Sequence, residues 1–311
     1  MKKYQDKLED ILADTTVAES AGEYINAEER NPFINPLVDW AFKRIFASEA
    51  NKGVAKAFLN EVLRGRREIV SIAYGKNEYP GEIKGKRGAV LDFVCKDQDG
   101  VSFLVELQRQ EQPYFKDRSL FYASRLISDQ GSKGKDWNYE LKAVYVICLL
   151  EKSSFLGTAE EMYLHDVSLI NTRAGAIFND KLHFVYIELD KFNKTESMVE
   201  TGLDKWIYSL KNAGKMTTEP VFAEEMNVFF ESARCANLTK EELDMYRTAQ
   251  EEQWDNQNAF NFATEKAMKA GLEKGALTKA IEIALELLKE GIDIEQIAKY
   301  TKLSKAQILA L

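Results

Sequence analysis

Residues 89–108, AVLDFVCKDQDGVSFLVELQ, read as one β-hairpin. The first strand is predicted over residues 89–95 and the second over residues 101–108. Strand side chains alternate between two faces, so Glu106 and Gln108 point the same way. The opposite face of the second strand takes the apolar side chains Phe103, Val105 and Leu107.

The turn between the strands decides where Asp92 lies. Asp97-Gln98-Asp99-Gly100 suits a three-residue loop, in which a type I turn is followed by glycine in the left-handed region. That loop pairs Asp97 with Val101 and places Asp92 opposite Glu106. A two-residue turn would shift the register by one residue and put the two acids on opposite faces.

Two acids that face each other in an apolar hairpin require an explanation. Cross-strand neighbours have Cβ atoms about 4.5–5.5 Å apart, and like charges at that separation are destabilising. A proton or a cation between the carboxylates removes the repulsion, and Mg²⁺ prefers oxygen ligands. The pattern therefore indicates either a metal site or two acids on a solvated sheet face, and it leaves both interpretations open.

The composition is that of a globular protein. The chain has 311 residues, of which 45% are hydrophobic and 30% charged, enough for one large domain or two. No apolar run approaches the roughly 20 residues of a membrane helix, and the N-terminal residues lack the apolar region of a signal peptide. The three cysteines are far apart and form no CxxC pair, so we expect a cytoplasmic protein without a membrane partner.

A net charge of −8 argues against a surface that binds nucleic acid broadly. A local basic patch is still predicted before the hairpin, and a solvated, charged connection is the alternative. The residues of this patch are Arg64, Arg66, Arg67, Lys76, Lys84, Lys86 and Arg87.

The order of predicted elements is that of an α/β fold, a mixed sheet with helices packed on it. Helices are expected at 39–46, 51–63, 114–130 and 197–210, and strands outside the hairpin at 69–74, 141–150, 163–170 and 183–189. No strand signal remains after about residue 216. Near the end, a helix over 294–300, a turn at 301–303 and the N-cap residue Ser304 form a helix-turn-helix pattern. A plain helical hairpin that mediates association is the alternative.

Several of these segments together resemble the PD-(D/E)XK nuclease family transposases, also called recombination-promoting nucleases. They are DWAFKRIF at 39–46, LDF at 91–93, VELQ at 105–108, and Arg118 with Tyr122 on the next helix. The resemblance covers roughly residues 31–260. The pattern of residues 279–304 also recurs in such proteins, usually with glycine where Lys302 stands.

The resemblance implies a restriction-endonuclease-like core, a mixed sheet flanked by helices, with an all-helical C-terminal region. The expected organisation is an N-terminal extension (1–30), the nuclease-like domain (31–215), a helical region (216–275) and a helical tail (276–311). The implied activity is that of a bacterial DNA endonuclease that uses Mg²⁺ or Mn²⁺ and is linked to recombination or transposition. A catalytically weak or inactive protein of the same fold, which binds DNA or protein, is the alternative.

Carried over to this sequence, the resemblance makes Asp92 and Glu106 the metal-binding acids. The main-chain carbonyl of Leu107 becomes a third ligand. Gln108 stands where the motif has lysine, so it can hydrogen-bond a water but supplies no charge.

Four further residues are assigned to DNA binding or support. Lys43 and Arg118 are expected to contact phosphate, with surface ion pairing as the alternative. Asp39 is an extra acid near the site, or a residue that favours the start of its helix. Tyr122 is expected to be a support or a core residue. The helices of residues 240–290 are predicted to pair with a second copy, because cleavage of both DNA strands needs two sites.

Overall fold

The computed structural model describes residues 31–79, 89–110, 112–131, 138–152 and 161–311. The predicted N-terminal extension, residues 1–30, lies outside these ranges. The strands are β1 (Ile72–Tyr74), β2 (Glu78–Tyr79), β3 (Ala89–Val90), β4 (Phe93–Asp97), β5 (Ser102–Gln108), β6 (Val144–Leu150), β7 (Leu164–Asn171) and β8 (Ala176–Glu188). The α-helices are α1 (Asp39–Phe46), α2 (Lys52–Val62), α3 (Phe115–Ser128), α4 (Gly202–Asn212), α5 (Asn227–Ala233), α6 (Lys240–Lys289), α7 (Ile294–Thr301) and α8 (Lys305–Leu309).

Six of the strands form one mixed sheet in the order β1-β4-β5-β6-β8-β7. Its centre is parallel, because β5 pairs with β6 and β6 pairs with β8 in that sense. The outer pairs β1–β4, β4–β5 and β7–β8 are antiparallel. Helix α3 lies in the crossover from β5 to β6 that parallel pairing requires. The expectation of a mixed sheet flanked by helices is confirmed.

The hairpin of β4 and β5 has the register predicted from its turn. Phe93 pairs with Val105 and Cys95 pairs with Phe103. The Asp97 amide donates to the Val101 carbonyl at 3.0 Å. Gly100 has a φ of 78°, the left-handed conformation that the three-residue loop requires.

The two faces of β5 pack against different helices. Phe103 and Val105 belong to the larger core, which α1, α2, α4 and α5 cover. Leu104 lies in the second core, beneath α3, with Phe115 and Leu126. Because side chains alternate, Glu106 and Gln108 lie on the same face as Leu104.

Helix α1 is fixed against the start of β4 by aromatic packing. The Phe46 ring stacks on the Phe93 ring with their centroids 6.2 Å apart, and Phe42 lies at the same distance from Phe93. This packing brings the helix that carries Asp39 and Lys43 to the residue next to Asp92.

Two strand predictions were wrong. The continuous strand expected over residues 89–95 is broken at Leu91 and Asp92, because Ala89–Val90 pairs with β2 in a separate two-stranded sheet. The last strand begins at Ala176 rather than at residue 183. Its early part lies in a hairpin arm exposed to solvent, where the apolar residues Ile177 and Phe178 are 62% and 76% exposed. The sequence there lacks the alternation of apolar and polar residues that is typical of a half-buried strand.

The described chain divides into two compact units, with the boundary between Ala249 and Gln250. The boundaries at 215/216 and 275/276 stay predictions. In the second unit, α7 and α8 flank a turn at Lys302, and Ser304 caps α8 with a complete capping box. A small core forms there from the buried residues Ala284, Ile297, Leu303 and Ile308.

Within the described ranges, no helix is both long enough and apolar enough to cross a membrane.

Candidate active site

Asp92 and Glu106 form a pair of adjoining carboxylates, as the hairpin register predicts. Asp92 lies at the break between β3 and β4, and Glu106 lies on β5. The Asp92 amide donates to Glu106 Oε1 at 3.2 Å, and the Leu107 amide donates to Asp92 Oδ2 at 2.7 Å. Glu106 is only 6% exposed, so the pair does not lie on a solvated sheet face.

The strand break also changes the surroundings of the Leu107 carbonyl. Continued by one more rung, the β4–β5 register would bring the Leu91 amide to that carbonyl. The Leu91 amide donates instead to the Asn77 carbonyl at 2.9 Å. The Leu107 carbonyl therefore accepts no hydrogen bond from the Leu91 amide. This carbonyl lies next to the two carboxylates.

Burial dominates the electrostatics of the pair. It raises the pKa of Asp92, although the hydrogen bond from the Leu107 amide acts in the other direction. Burial, and after it the charge of Asp92, raises the pKa of Glu106 to about 8. Near neutral pH the pair therefore retains a proton when nothing else neutralises it.

The donor chemistry of the pair fits a hard divalent cation. Mg²⁺ is usually bound by one or two carboxylates and keeps several waters or substrate oxygens. Asp92, Glu106 and the Leu107 carbonyl offer oxygen ligands of that type. Across the described ranges, no three or more His, Cys, Asp or Glu side chains are grouped to hold a metal ion. A fit to Mg²⁺ thus rests on two carboxylates and one carbonyl.

Gln108 is buried beside this pair, with 8% of its surface exposed. Its Nε2 donates to the Gln110 carbonyl at 2.6 Å, and its Oε1 accepts from Nη2 of Arg118. Both ends of the amide are therefore engaged by protein groups.

Arg118 projects from α3 toward the same place. Its Nη1 donates to Gln112 Oε1 at 2.6 Å. The guanidinium carbon lies 4.9 Å from the centroid of the Phe115 ring and 5.7 Å from that of Tyr122. Within the described residues it forms no ion pair, and its charge lowers the pKa of both Asp92 and Glu106.

Asp39 and Lys43 are near enough to influence the pair electrostatically. Lys43 lowers the pKa of Asp92 and Glu106, whereas Asp39 raises that of Asp92. The two side chains also form an exposed ion pair with each other at 2.8 Å. The structure thus brings both residues to the site and also contains the ion pairing expected as the alternative.

Tyr122 is partly buried against the core beneath α3, where its ring lies beside the Arg118 guanidinium. Its role as a support or core residue stays a prediction.

The basic patch is largely neutralised where the structure describes it. Arg64 pairs with Glu61, Arg66 with Asp166, and Arg67 with both Asp97 and Asp99. Lys84, Lys86 and Arg87 lie outside the described residues. The described part has the character of a solvated, charged connection.

The sequence did not reveal the contacts that fix Gln108. They depend on Gln110 and Gln112 in the loop after β5 and on the way α3 folds back over the sheet. The only local signal was the recurrence of glutamine in Gln108-Arg109-Gln110-Glu111-Gln112. Such a cluster does not indicate which amide meets which donor.

A family model described as PD-(D/E)XK nuclease family transposase matches residues 36–263. No curated protein and no solved structure matches the chain. The matched residues contain the acid pair, Gln108, Arg118 and the whole mixed sheet. The sheet, its flanking helices and the helical C-terminal region confirm the expected restriction-endonuclease-like fold.

Proposed function

Because the chain belongs to the PD-(D/E)XK nuclease family transposases, we propose that it is a Mg²⁺-dependent DNA endonuclease that serves recombination or transposition of mobile elements. Membership itself implies a nuclease with a transposition-related function. The finer statement is supported above all by the adjoining carboxylates of buried Glu106 and partly buried Asp92, which two backbone amides hold together.

In this proposal Asp92, Glu106 and the Leu107 carbonyl hold Mg²⁺, or Mn²⁺ in its place. A divalent ion at these ligands would supply Lewis-acid chemistry, namely a lower pKa for a water and positive charge beside the phosphate oxygens. In the hydrolysis, a water oxygen forms a bond to phosphorus, the ester P–O bond breaks, and the leaving oxygen takes up a proton. The chain's own part is to orient the phosphate, for which Lys43 and Arg118 offer positive charge.

The reaction is tested with supercoiled plasmid and Mg²⁺. We expect the wild-type chain to nick it, and Asp92→Asn and Glu106→Gln each to lose at least about 100-fold in rate. Asp166→Asn is the matched control, because Asp166 is an acid on β7 that pairs with Arg66 away from the site. Cleavage that persists in both site variants contradicts the proposal.

A second candidate function is that of a non-catalytic module that binds DNA or protein. The uncharged Gln108, with both ends of its amide engaged, is the observation that favours it. Calorimetry separates the two functions. A module of this kind shows no Mg²⁺ or Mn²⁺ binding, whereas a nuclease shows binding that Asp92→Asn abolishes.

We also propose that the protein is a homo-oligomer joined through α6. Every residue from 258 to 279 is exposed, although most of a helix's stability in a protein comes from packing one of its faces. From residue 253 to residue 275, one face of α6, followed in steps of three or four residues, carries no charged side chain. Its residues are Gln253, Gln257, Phe260, Thr264, Met268, Leu272 and Gly275.

The distribution of charge along α6 supports a second copy in antiparallel orientation as the partner. Residues 250–258 contain Glu251, Glu252 and Asp255 and no basic residue. Residues 264–280 contain four lysines and two glutamates. Antiparallel pairing brings the acidic half of one helix against the basic half of the other.

Light scattering of the full chain tests this pairing. We expect a dimer that Met268→Glu converts to a monomer. Phe262→Glu is the matched control, because Phe262 is 68% exposed on the opposite side of the helix. A wild-type chain that is monomeric at tens of micromolar contradicts the pairing.

A cytoplasmic location remains a prediction. The buried thiols of Cys95 and Cys148, which form no disulfide within the described residues, are compatible with a reducing compartment.

A further inference from the structure

Gln108 stands where the family's motif has lysine, and the proposed reaction needs positive charge at that place. Phosphodiester cleavage builds negative charge on the oxygens around phosphorus. A neutral amide can donate a hydrogen bond but cannot offset that charge.

The geometry of Gln108 indicates a different task for this residue. Its Nε2 is bonded to the Gln110 carbonyl, which fixes the orientation of the amide, and its Oε1 then faces Arg118. An amide oxygen that accepts from a guanidinium forms a charge-assisted hydrogen bond. The fixed amide oxygen of Gln108 is thus oriented to accept a hydrogen bond from a cation.

Arg118 is the cation that it holds, and its position is determined from several sides. Gln108 and Gln112 each accept from one of its two terminal nitrogens, and the rings of Phe115 and Tyr122 flank its guanidinium. Among the described residues, its buried Nε finds no hydrogen-bond partner. Arginine stays charged at any pH at which proteins fold.

Lys43, the second cation that the described residues bring to the site, differs from Arg118 in one respect. Lys43 is ion-paired with Asp39 at 2.8 Å, so an adjacent carboxylate offsets its charge. No carboxylate within the described residues pairs with Arg118. Arg118 can therefore offer a phosphate more net positive charge than Lys43 can.

We propose that Arg118, positioned by Gln108, supplies the positive charge that lysine supplies in the family's motif. Gln108 is then a positioning residue, and Arg118 contacts the phosphate. This inference rests on the proposed nuclease function, and it adds which side chain carries the charge.

The first test measures Mn²⁺ binding by calorimetry and needs no turnover. A nearby positive charge opposes the binding of a cation, so Arg118→Gln should tighten Mn²⁺ binding by about fivefold at a pH at which Glu106 is ionised in both proteins. The double variant Gln108→Lys/Arg118→Gln restores a charge at the site and should return the affinity to the wild-type value. Arg125→Gln, seven residues further along α3, is the control and should leave it unchanged.

The second test measures plasmid cleavage by the same proteins. Arg118→Gln should lower kcat about 100-fold with little change in KM. Adding Gln108→Lys in that background should recover at least about tenfold. A thermal melt of each metal-free variant confirms that the fold is intact.

The outcomes separate this inference from the function on which it rests. If the wild-type chain neither binds Mn²⁺ nor cleaves DNA, the proposed function fails and the inference fails with it. If the wild-type chain does both, weaker or unchanged Mn²⁺ binding in Arg118→Gln overturns the inference alone. A folded double variant without recovered cleavage also overturns it.

Discussion

The backbone amide of Leu107 donates a 2.7 Å hydrogen bond to the carboxylate of Asp92. A side chain thereby completes the edge of β5 at the point where the main-chain ladder with β4 has ended. The catalytic acid of the proposed nuclease is also a structural part of the sheet.

This double role predicts different effects for two substitutions at Asp92. Asp92→Asn keeps an oxygen for the Leu107 amide, whereas Asp92→Ala leaves that N–H without its acceptor. We expect the free energy of unfolding of the alanine variant to be lower than that of the asparagine variant by about 1–3 kcal/mol. Urea unfolding in EDTA measures the difference, and equal stability of the two variants contradicts the structural role.

The acid pair also predicts how the stability of the metal-free protein depends on pH. The pKa of Glu106 is raised from 4.5 to about 8 on folding, so the folded state favours the protonated form. Its contribution is fully present below about pH 4.5 and is lost as the pH rises through about 8, on the order of a few kcal/mol.

Urea unfolding at pH 5 and pH 9 in EDTA checks this direction. The loss of stability at pH 9 should be smaller in Glu106→Gln, which cannot ionise, and saturating Mg²⁺ should reduce it in the wild-type chain. If the wild-type protein and Glu106→Gln lose the same stability between pH 5 and pH 9, the pKa of Glu106 is not raised.

A second buried carboxylate predicts a large loss of stability away from the candidate site. Glu188 is fully buried, and its Oε2 lies 2.9 Å from Nε2 of His165 and 2.8 Å from Nζ of Lys191. Glu188→Gln removes the counter-charge and should cost about 3 kcal/mol. The control is Glu225→Gln, since the Glu225 side chain is 66% exposed in its pair with Lys205, and it should change stability by less than about 0.5 kcal/mol.

The C-terminal unit contains one strained position. Lys302 ends α7 with a φ of 63°, a conformation that costs an L-residue about 1–2 kcal/mol and glycine little. Lys302→Gly should therefore stabilise this unit by up to about 1 kcal/mol, measured as slower hydrogen exchange of the Ile297 and Thr301 amides. Lys299→Gly, inside the same helix, is the control and should accelerate exchange at these amides. Accelerated exchange in Lys302→Gly would contradict backbone strain at Lys302.

The parts of the fold that could be predicted from sequence are those set by neighbouring residues. The register of β4 and β5 follows from the Asp97–Gly100 turn, and a turn is a local choice of backbone conformation. The buried strand β6 follows from its apolar run. In both places the signal lies within about ten residues of the feature that it predicts.

What could not be predicted depends on partners distant in the sequence. The break at Leu91 arises because its amide meets Asn77, which the order of residues in the hairpin does not indicate. The hydrogen bond between Gln108 and Arg118 forms only when α3 packs on the sheet and brings Arg118 close to β5. The acid pair was therefore predictable, and the hydrogen bond between Arg118 and Gln108 was not.

The short separation of Asp92 and Glu106, 14 residues, has a consequence for the order of folding. Closing a short hairpin takes microseconds, whereas contacts between distant segments must first overcome a larger loop entropy. We expect the two acids to meet early, and Lys43 and Arg118 to arrive only when α1 and α3 dock. Pulsed hydrogen exchange during refolding would show early protection of the β4 and β5 amides. A folding chain would then expose its negative pair before Lys43 or Arg118 reaches it, so under the proposed function a divalent ion could already bind the folding intermediate.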